Sequence, residues 1–293
     1  MRYDIKNEKL ICEIDVHGAE LKSLKRISDG KEYMWSGDPA YWNRTSPVLF
    51  PFVGGVKDKL YRHEGKEYTI GQHGFARDMD FTLESQSGDE IWFSLSETEE
   101  SLGKYPFRFL LGIGYKIEDT KVKVMWEVKN TDDDTMFFSI GAHPGFAVES
   151  LKGHAFMLRD KEGKKVTSIK NRVFGKGGCV TDRTEECELQ DGVLLLSEEL
   201  FDNDALVLEN DQIGSVTLSD DHGTPSLTVK FDAPLVGLWS PPHKNAPFVC
   251  IEPWYGRCDP ESFTGELKDR DYEQKLAPGE VFKASYEIVI EGE

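Results

Sequence analysis

Glu252 closes a short apolar run, Phe248-Val249-Cys250-Ile251, and Pro253-Trp254-Tyr255-Gly256 follow it. A run of this length reads as a buried strand. A carboxyl group at its end sits near low-dielectric surroundings, where desolvation disfavours the charged form. Pro253 restricts Glu252 to extended backbone and is expected to end the ladder. A carboxyl held on such a strand-to-turn junction, with two aromatics beside it, suits a general base. The other reading is a strand-end carboxylate paired to an arginine, since structural ion pairs also perturb carboxyl groups.

Three further stretches carry chemistry. In Gly141-Ala142-His143-Pro144-Gly145-Phe146 a histidine follows the apolar run 136–140 and precedes a proline, as Glu252 does. If the two faced each other they would form an acid/base pair; a lone His before Pro can equally be structural. Gly71-Gln72-His73-Gly74-Phe75-Ala76-Arg77-Asp78 brackets a histidine with glycines, which allow close backbone approach. Read functionally, His73 meets a ligand hydroxyl; read structurally, it is a turn residue. Asn43-Arg44-Thr45-Ser46-Pro47-Val48-Leu49-Phe50-Pro51 places Arg44 before an apolar stretch whose two prolines argue against a central strand. Irregular chain of this kind often carries functional side chains.

The elements that must position these groups are strands. In Lys121–Lys129 the even positions are all apolar and the odd ones mostly charged, the pattern of a half-buried antiparallel strand. Similar runs recur at 11–16, 79–84, 91–96, 109–117, 136–140, 205–209, 215–219, 226–231, 235–239 and 281–290. Turn signals such as Ser28-Asp29-Gly30, Ser87-Gly88-Asp89 and Asp221-His222-Gly223 separate many of them. A hairpin turn is expected at 117–121 and short helices at 97–104 and 261–268. The polar segment 159–190 reads as irregular structure with weak strands. Many strands and few helices predict an all-β protein, a large antiparallel β-sandwich formed by a single domain over 1–293.

Bulk composition narrows the functions. Lys and Arg number 35 against 53 Asp and Glu, a net charge of −18, which repels phosphate backbones and argues against a nucleic-acid partner. No run approaches the roughly 18 apolar residues that span a bilayer, so no membrane partner is expected. The N-terminal residues show no apolar signal region. Five cysteines without a C-x-x-C pair disfavour a disulfide framework or a thiolate zinc site. Together these predict a cytoplasmic location. No His pair has the i, i+4 spacing of a zincin and no G-x-S-x-G is present. His73, His143 and Glu252 as non-local metal ligands remain the competing use of those residues.

Taken in order along nearly the whole chain, Asn43-Arg44 with Ser46-Pro47-Val48-Leu49-Phe50-Pro51, Gln72-His73-Gly74-Phe75-Ala76-Arg77-Asp78, His143-Pro144-Gly145-Phe146 and Ile251-Glu252-Pro253-Trp254 resemble the aldose 1-epimerase (galactose mutarotase-like) family. The likeness is greatest to its bacterial LacX-like branch. The resemblance implies a β-sandwich of galactose mutarotase type. It also implies an isomerase of carbohydrate metabolism that interconverts the α and β anomers of a free aldohexose such as galactose or glucose, without cofactor or metal. By motif, Glu252 matches the general base and His143 the general acid. His73 matches a second histidine bonding the sugar near its ring, and Arg44 a sugar-binding arginine. Asp204 falls where the family often places a sugar-binding aspartate, with Asp202 as its rival. Arg77 and Trp254 complete the expected substrate contacts. Gly54-Gly55 stands where many relatives carry Gly-Arg. Phe75 and Phe146 read more simply as core, while Trp42 and Trp239 are open between core and pocket. Two rival functions are a hexose-6-phosphate mutarotase, with Arg44, Arg77 and Arg257 supplying charge, and a non-catalytic sugar-binding sandwich. A glycoside hydrolase or lyase is a third, the hydrolase with Asp204 as its second carboxylate. Monomer and homodimer are both open.

Overall fold

The period-two runs fold as strands. Along Lys121–Asn130 the even residues are buried and the odd ones largely half-open, because a pleated strand sends alternate side chains to opposite faces. Phe109–Glu118 and Lys121–Asn130 form the expected hairpin around a two-residue turn, in which Asp119 takes a positive φ of 54°. The computed structural model describes residues 1–220 and 222–292; Asp221 of the Asp221-His222-Gly223 turn lies outside them.

Among the described residues two large antiparallel sheets dominate, which is the β-sandwich. The nine-stranded sheet runs, in spatial order, Val193–Leu195, Ala155–Arg159, Ser215–Ser219, Pro225–Phe231, Val281–Ile290, Lys121–Asn130, Phe109–Glu118, Glu90–Ser96 and Thr82–Gln86. The eight-stranded sheet runs Val180–Glu188, Ser168–Phe174, Leu206–Leu208, Leu235–Trp239, Phe248–Tyr255, Ile140–Ala142 and Val48–Leu49, with Gly145–Ala147 also paired to Phe248–Tyr255. The core fills the space between the sheets: Val249, Ile251, Val236 and Leu238 of the second pack in one cluster with Val122, Val124 and Trp126 of the first. Phe75 and Phe146 are buried in that same cluster.

Four expectations change. Segment 159–190 is not an irregular excursion: Ser168–Phe174 and Val180–Glu188 pair as a hairpin at the edge of the eight-stranded sheet, with a register shift between Arg172 and Phe174. Its outer strand is mostly exposed and polar, so no apolar alternation announced it. The run 136–140 is two strands, because Ser139 leaves the ladder: its N–H donates to Pro51 O at 2.8 Å and its Oγ accepts from Val53 N–H at 3.0 Å. The first helix shrinks to Glu99–Leu102, capped by Thr98, and the second to a single 3-10 turn at Leu267–Asp269. Finally, Pro253 does not end its strand, which continues to Tyr255. On one side Pro253 lies opposite Val236; on the other, the partner changes from Gly145–Ala147 to Ile140–Gly141 across it. A residue without an N–H is tolerated where one neighbouring ladder is interrupted.

Among the described residues no helix is long and apolar enough to cross a membrane.

Candidate active site

Strand Phe248–Tyr255 is buried on both faces. Val249 and Ile251 point between the sheets, whereas Phe248, Cys250 and Trp254 pack in two smaller clusters on the other face. Period two puts Glu252 on that second face with Cys250 and Trp254. The register that pairs Gly141 with Trp254 and Gly145 with Cys250 sets His143 level with Glu252, in the gap between two short strands. Residues level across antiparallel strands share a face. The two side chains meet: His143 Nε2 lies 3.4 Å from Glu252 Oε2.

They line a cavity of about 360 Å³ with Trp42, Arg44, Gln72, His73, Arg77, Asp204, Trp239 and Trp254. All seven residues singled out from the sequence therefore reach one pocket. Asp204 rather than Asp202 lines it; Asp202 pairs with His243 at 3.2 Å elsewhere. Sequence reading missed Phe174 and Gly178 as pocket wall, since both come from the hairpin read as irregular. Arg257 is not among the lining residues. It is buried, and its guanidinium donates to Glu209, Asp271 and Cys258 O. Tyr255 packs instead on Trp126 and Phe282.

Local structure fixes each member. Glu20 Oε1 accepts the N–H groups of Thr45 and Ser46 at 2.7 and 2.8 Å, clamping the chain that carries Arg44. Arg44 donates to Asp78 at 2.7 Å. His73 holds a positive φ of 66°, and its backbone N–H donates to Gly54 O at 2.8 Å. Gly54 N–H in turn donates to His73 Nδ1 at 3.1 Å, which leaves Nε2 to carry the proton and act as a donor. Gly54 itself has φ +74°, and a Cβ there would sit 2.6 Å from the Cys258 Cβ; no larger residue fits. The Trp254 indole occupies a slot cut by glycines, since a Cβ on Gly141 or Gly237 would fall 2.6 or 2.4 Å from its ring.

Burial favours the neutral form of each partner. Burial, reinforced by Asp204, pushes the Glu252 carboxyl well above its ordinary range. Burial, then Arg77 and Arg44, holds His143 down to about 3. Desolvation thus drives the proton affinities of the two groups apart. The proton count is unchanged by this, because a neutral acid beside a neutral imidazole holds the same single proton as a carboxylate beside an imidazolium. His73 is likewise held well below the ordinary histidine range by burial and by His143. Arg77 falls to about 10 through burial and Arg44. Neither Glu252 oxygen has a hydrogen-bond partner among the described residues, nor do His143 Nδ1, Arg77 Nε and Trp254 Nε1. Such a set of unsatisfied buried polar groups is costly in a folded chain and marks a place for a polar ligand.

Cys250 Sγ lies with one His143 nitrogen and one Glu252 oxygen within 4.8 Å, the one such triplet of metal-type donors among the described residues. Burial raises its thiol well above the ordinary range, so a metal would first have to displace that proton.

A model of the aldose 1-epimerase family matches residues 1–288. The chain belongs to the aldose 1-epimerase family. Protein LacX (chromosomal) of Lactococcus lactis subsp. lactis is 33% identical to it over 300 residues, covering 99% of each chain. A galactose mutarotase related enzyme from Lactobacillus acidophilus superposes with a TM-score of 0.92 at 33% identity, covering 100% of this epimerase-family chain and 98% of the other. A galactose mutarotase-like protein from Lactobacillus casei reaches 0.91 at 29% identity, over 99% and 100%. The family carries with it a sugar as the class of ligand, and the fold is that of the galactose mutarotase-like proteins.

Proposed function

We propose that this family member is an active mutarotase, interconverting the α and β anomers of a free aldohexose with Glu252 and His143 as its acid/base pair. The observation that carries the reading is their approach to 3.4 Å, buried and otherwise unbonded, at one wall of a sugar-sized cavity.

Mutarotation opens a hemiacetal and recloses it. With the proton on His143, the Glu252 carboxylate takes the proton of the C1 hydroxyl as the C1–O5 bond breaks, and the imidazolium gives its proton to O5. The products are an open-chain aldehyde, a neutral carboxylic acid and a neutral imidazole, the form that the empty pocket favours. Rotation about C1–C2 presents the other face of the aldehyde. On closure Glu252 returns its proton to the carbonyl oxygen while His143 removes the one on O5. No proton enters or leaves, and each well-placed group contributes about 10²–10⁴-fold. His73 Nε2–H and Arg77 donate to the sugar's oxygens and Asp204 accepts from its hydroxyls. Trp254 offers an apolar edge to its C–H groups.

Polarimetry of α-glucose and α-galactose tests the reading. The expected result is a rate well above the uncatalysed one, lost in Glu252→Gln. Sugar binding by calorimetry with no rate enhancement would leave a binding protein instead. A second reading has support, beside Arg44, in Arg77, whose buried Nε makes no hydrogen bond and has only Asp78 at 3.8 Å: a hexose 6-phosphate as substrate. Removal of Arg257 from the pocket takes away one of its three cations, and comparing glucose with glucose 6-phosphate separates the two.

A further inference from the structure

His143 lacks the device that usually aims a catalytic imidazole. Such a ring ordinarily bonds through its second nitrogen to a carboxylate or a backbone carbonyl, which fixes its plane. Here Nδ1 is buried and bonds to no other described residue; the one backbone group acting on the ring is His143's own. Besides Glu252 at Nε2, what touches the ring is aromatic. Trp42 stacks on it with centroids 4.7 Å apart and planes at 30°. Trp239 meets it edge-on at 5.3 Å and 86°, and His73 at 5.7 Å and 83°.

Trp42 is itself rigidly held. Its backbone carbonyl accepts from Trp35 Nε1 at 2.9 Å, and its N–H donates to Asp38 O at 2.9 Å. Its ring stacks on Phe248 at 5.7 Å and 15°, and Phe248 stacks on Trp35 at 4.4 Å and 18°. A column of rings thus runs from Trp35 through Phe248 and Trp42 to the imidazole.

We propose that Trp42 is a positioning residue for His143, its indole face setting the plane of the imidazole and stabilising the charge the ring bears while it holds the transferred proton. The inference rests on the mutarotase reading, because proton transfer through His143 is the step it serves. The charged and titratable groups around the ring explain why such help matters. Arg77 and His73 from the 71–78 segment, and Arg44 from the neighbouring chain, oppose a cation there. Glu252, with Asp204 acting on it, supplies the one negative charge, and Cys250 stays a neutral thiol. An indole face attracts cations more strongly than any other side-chain ring. It does so without adding a carboxylate that would hold the proton too tightly.

The experiment compares Trp42→Leu and Trp42→Phe with wild type in the full chain. It reads turnover by polarimetry, sugar affinity by calorimetry, and the His143 ring-proton NMR signal. Stacking predicts that this signal lies upfield in wild type and Trp42→Phe and moves downfield in Trp42→Leu. Turnover should fall about tenfold in Trp42→Leu, in line with the strength of a desolvated cation–aromatic contact. Affinity should change less than about twofold, and Trp42→Phe should recover most of the rate. Wild-type turnover in Trp42→Leu would overturn the proposal, as would a loss of affinity at unchanged turnover, which is what stacking on the sugar would give. Should Trp42→Leu not fold, the wild-type spectrum decides: a His143 ring signal without an upfield shift refutes the stack. An inactive wild type with an upfield, Trp42-dependent signal would sink the mutarotase reading while leaving the indole's hold on the ring in place.

Discussion

Glu209 and Glu252 are both glutamates on the eight-stranded sheet or at its strand ends, 4% and 1% exposed, and they have opposite surroundings. Both oxygens of Glu209 are bonded: Arg257 donates to Oε1 at 2.6 Å and Arg172 to Oε2 at 3.0 Å. Arg257 is held further by Asp271 at 2.6 Å. Behind them Arg270 donates to Asp259 at 2.7 Å and Glu273 at 2.8 Å. Glu252 has a histidine at 3.4 Å and the Trp254 indole beside it, and neither of its oxygens has a well-formed hydrogen bond among the described residues. The strand-end carboxylate paired to an arginine, which was the competing reading of Glu252, exists in this molecule at Glu209. A buried carboxyl that is satisfied holds the fold together; one left open to a cavity has its proton affinity raised and is free to exchange that proton.

The largest test of this contrast is a pair of substitutions. Glu252→Gln should lower the polarimetric rate by about 10²–10⁴-fold and leave the urea unfolding midpoint no lower than that of wild type. Glu209→Ala should do the reverse. It strands Arg172 and Arg257 in a buried setting and should lose about 3–5 kcal/mol of unfolding free energy, while the folded fraction keeps its turnover. If the two variants gave the same pattern, the contrast would be empty.

A smaller effect is expected at the wall of the pocket. Gly237, level with Glu252, leaves room for the Trp254 indole. Gly237→Ala should destabilise by about 1–3 kcal/mol and slow turnover by tilting that indole, both read from unfolding and rate measurements on one preparation.

The smallest and most diagnostic effect is in pH. Catalysis needs one proton on the pair. A second proton arrives only as His143 titrates, near about 3, and the shared proton leaves as Glu252 titrates in its raised range, so the rate of the proposed reaction should decline at strongly acid pH and again on the alkaline side. Stability carries the opposite sign from an ordinary paired carboxylate. Because the folded Glu252 holds its proton above the ordinary 4.5, the native state binds more protons than the unfolded one as pH rises past that value. Its contribution to stability is therefore full in acid and is lost as pH climbs toward the folded value. Urea midpoints measured across that range should fall less steeply in Glu252→Gln than in wild type.

Much of this was legible beforehand because it is local. Alternation in Lys121–Lys129 names a strand from chemistry alone, and the two-residue turn after Glu118 follows from it. The order of Arg44, His73, His143 and Glu252 along the chain carried the family. Segment 159–190 was not legible, because its outer strand is polar on both faces and is recognised only by its hydrogen bonds to Ser168–Phe174. Pro253 misled because a proline's effect depends on whether both neighbouring ladders need its N–H, which is a property of the sheet.

From residue types alone came the strands, the acidic surface and the identity of a carboxyl and two histidines with chemistry to do. Tertiary structure alone decided that His143 stands level with Glu252, that Asp204 rather than Asp202 joins them, and that Arg257 is occupied elsewhere. It also decided that the Trp42 indole lies on the face of the imidazole. The reason is that a strand's pattern states which face a side chain takes, whereas register and the packing of distant loops state what it finds there.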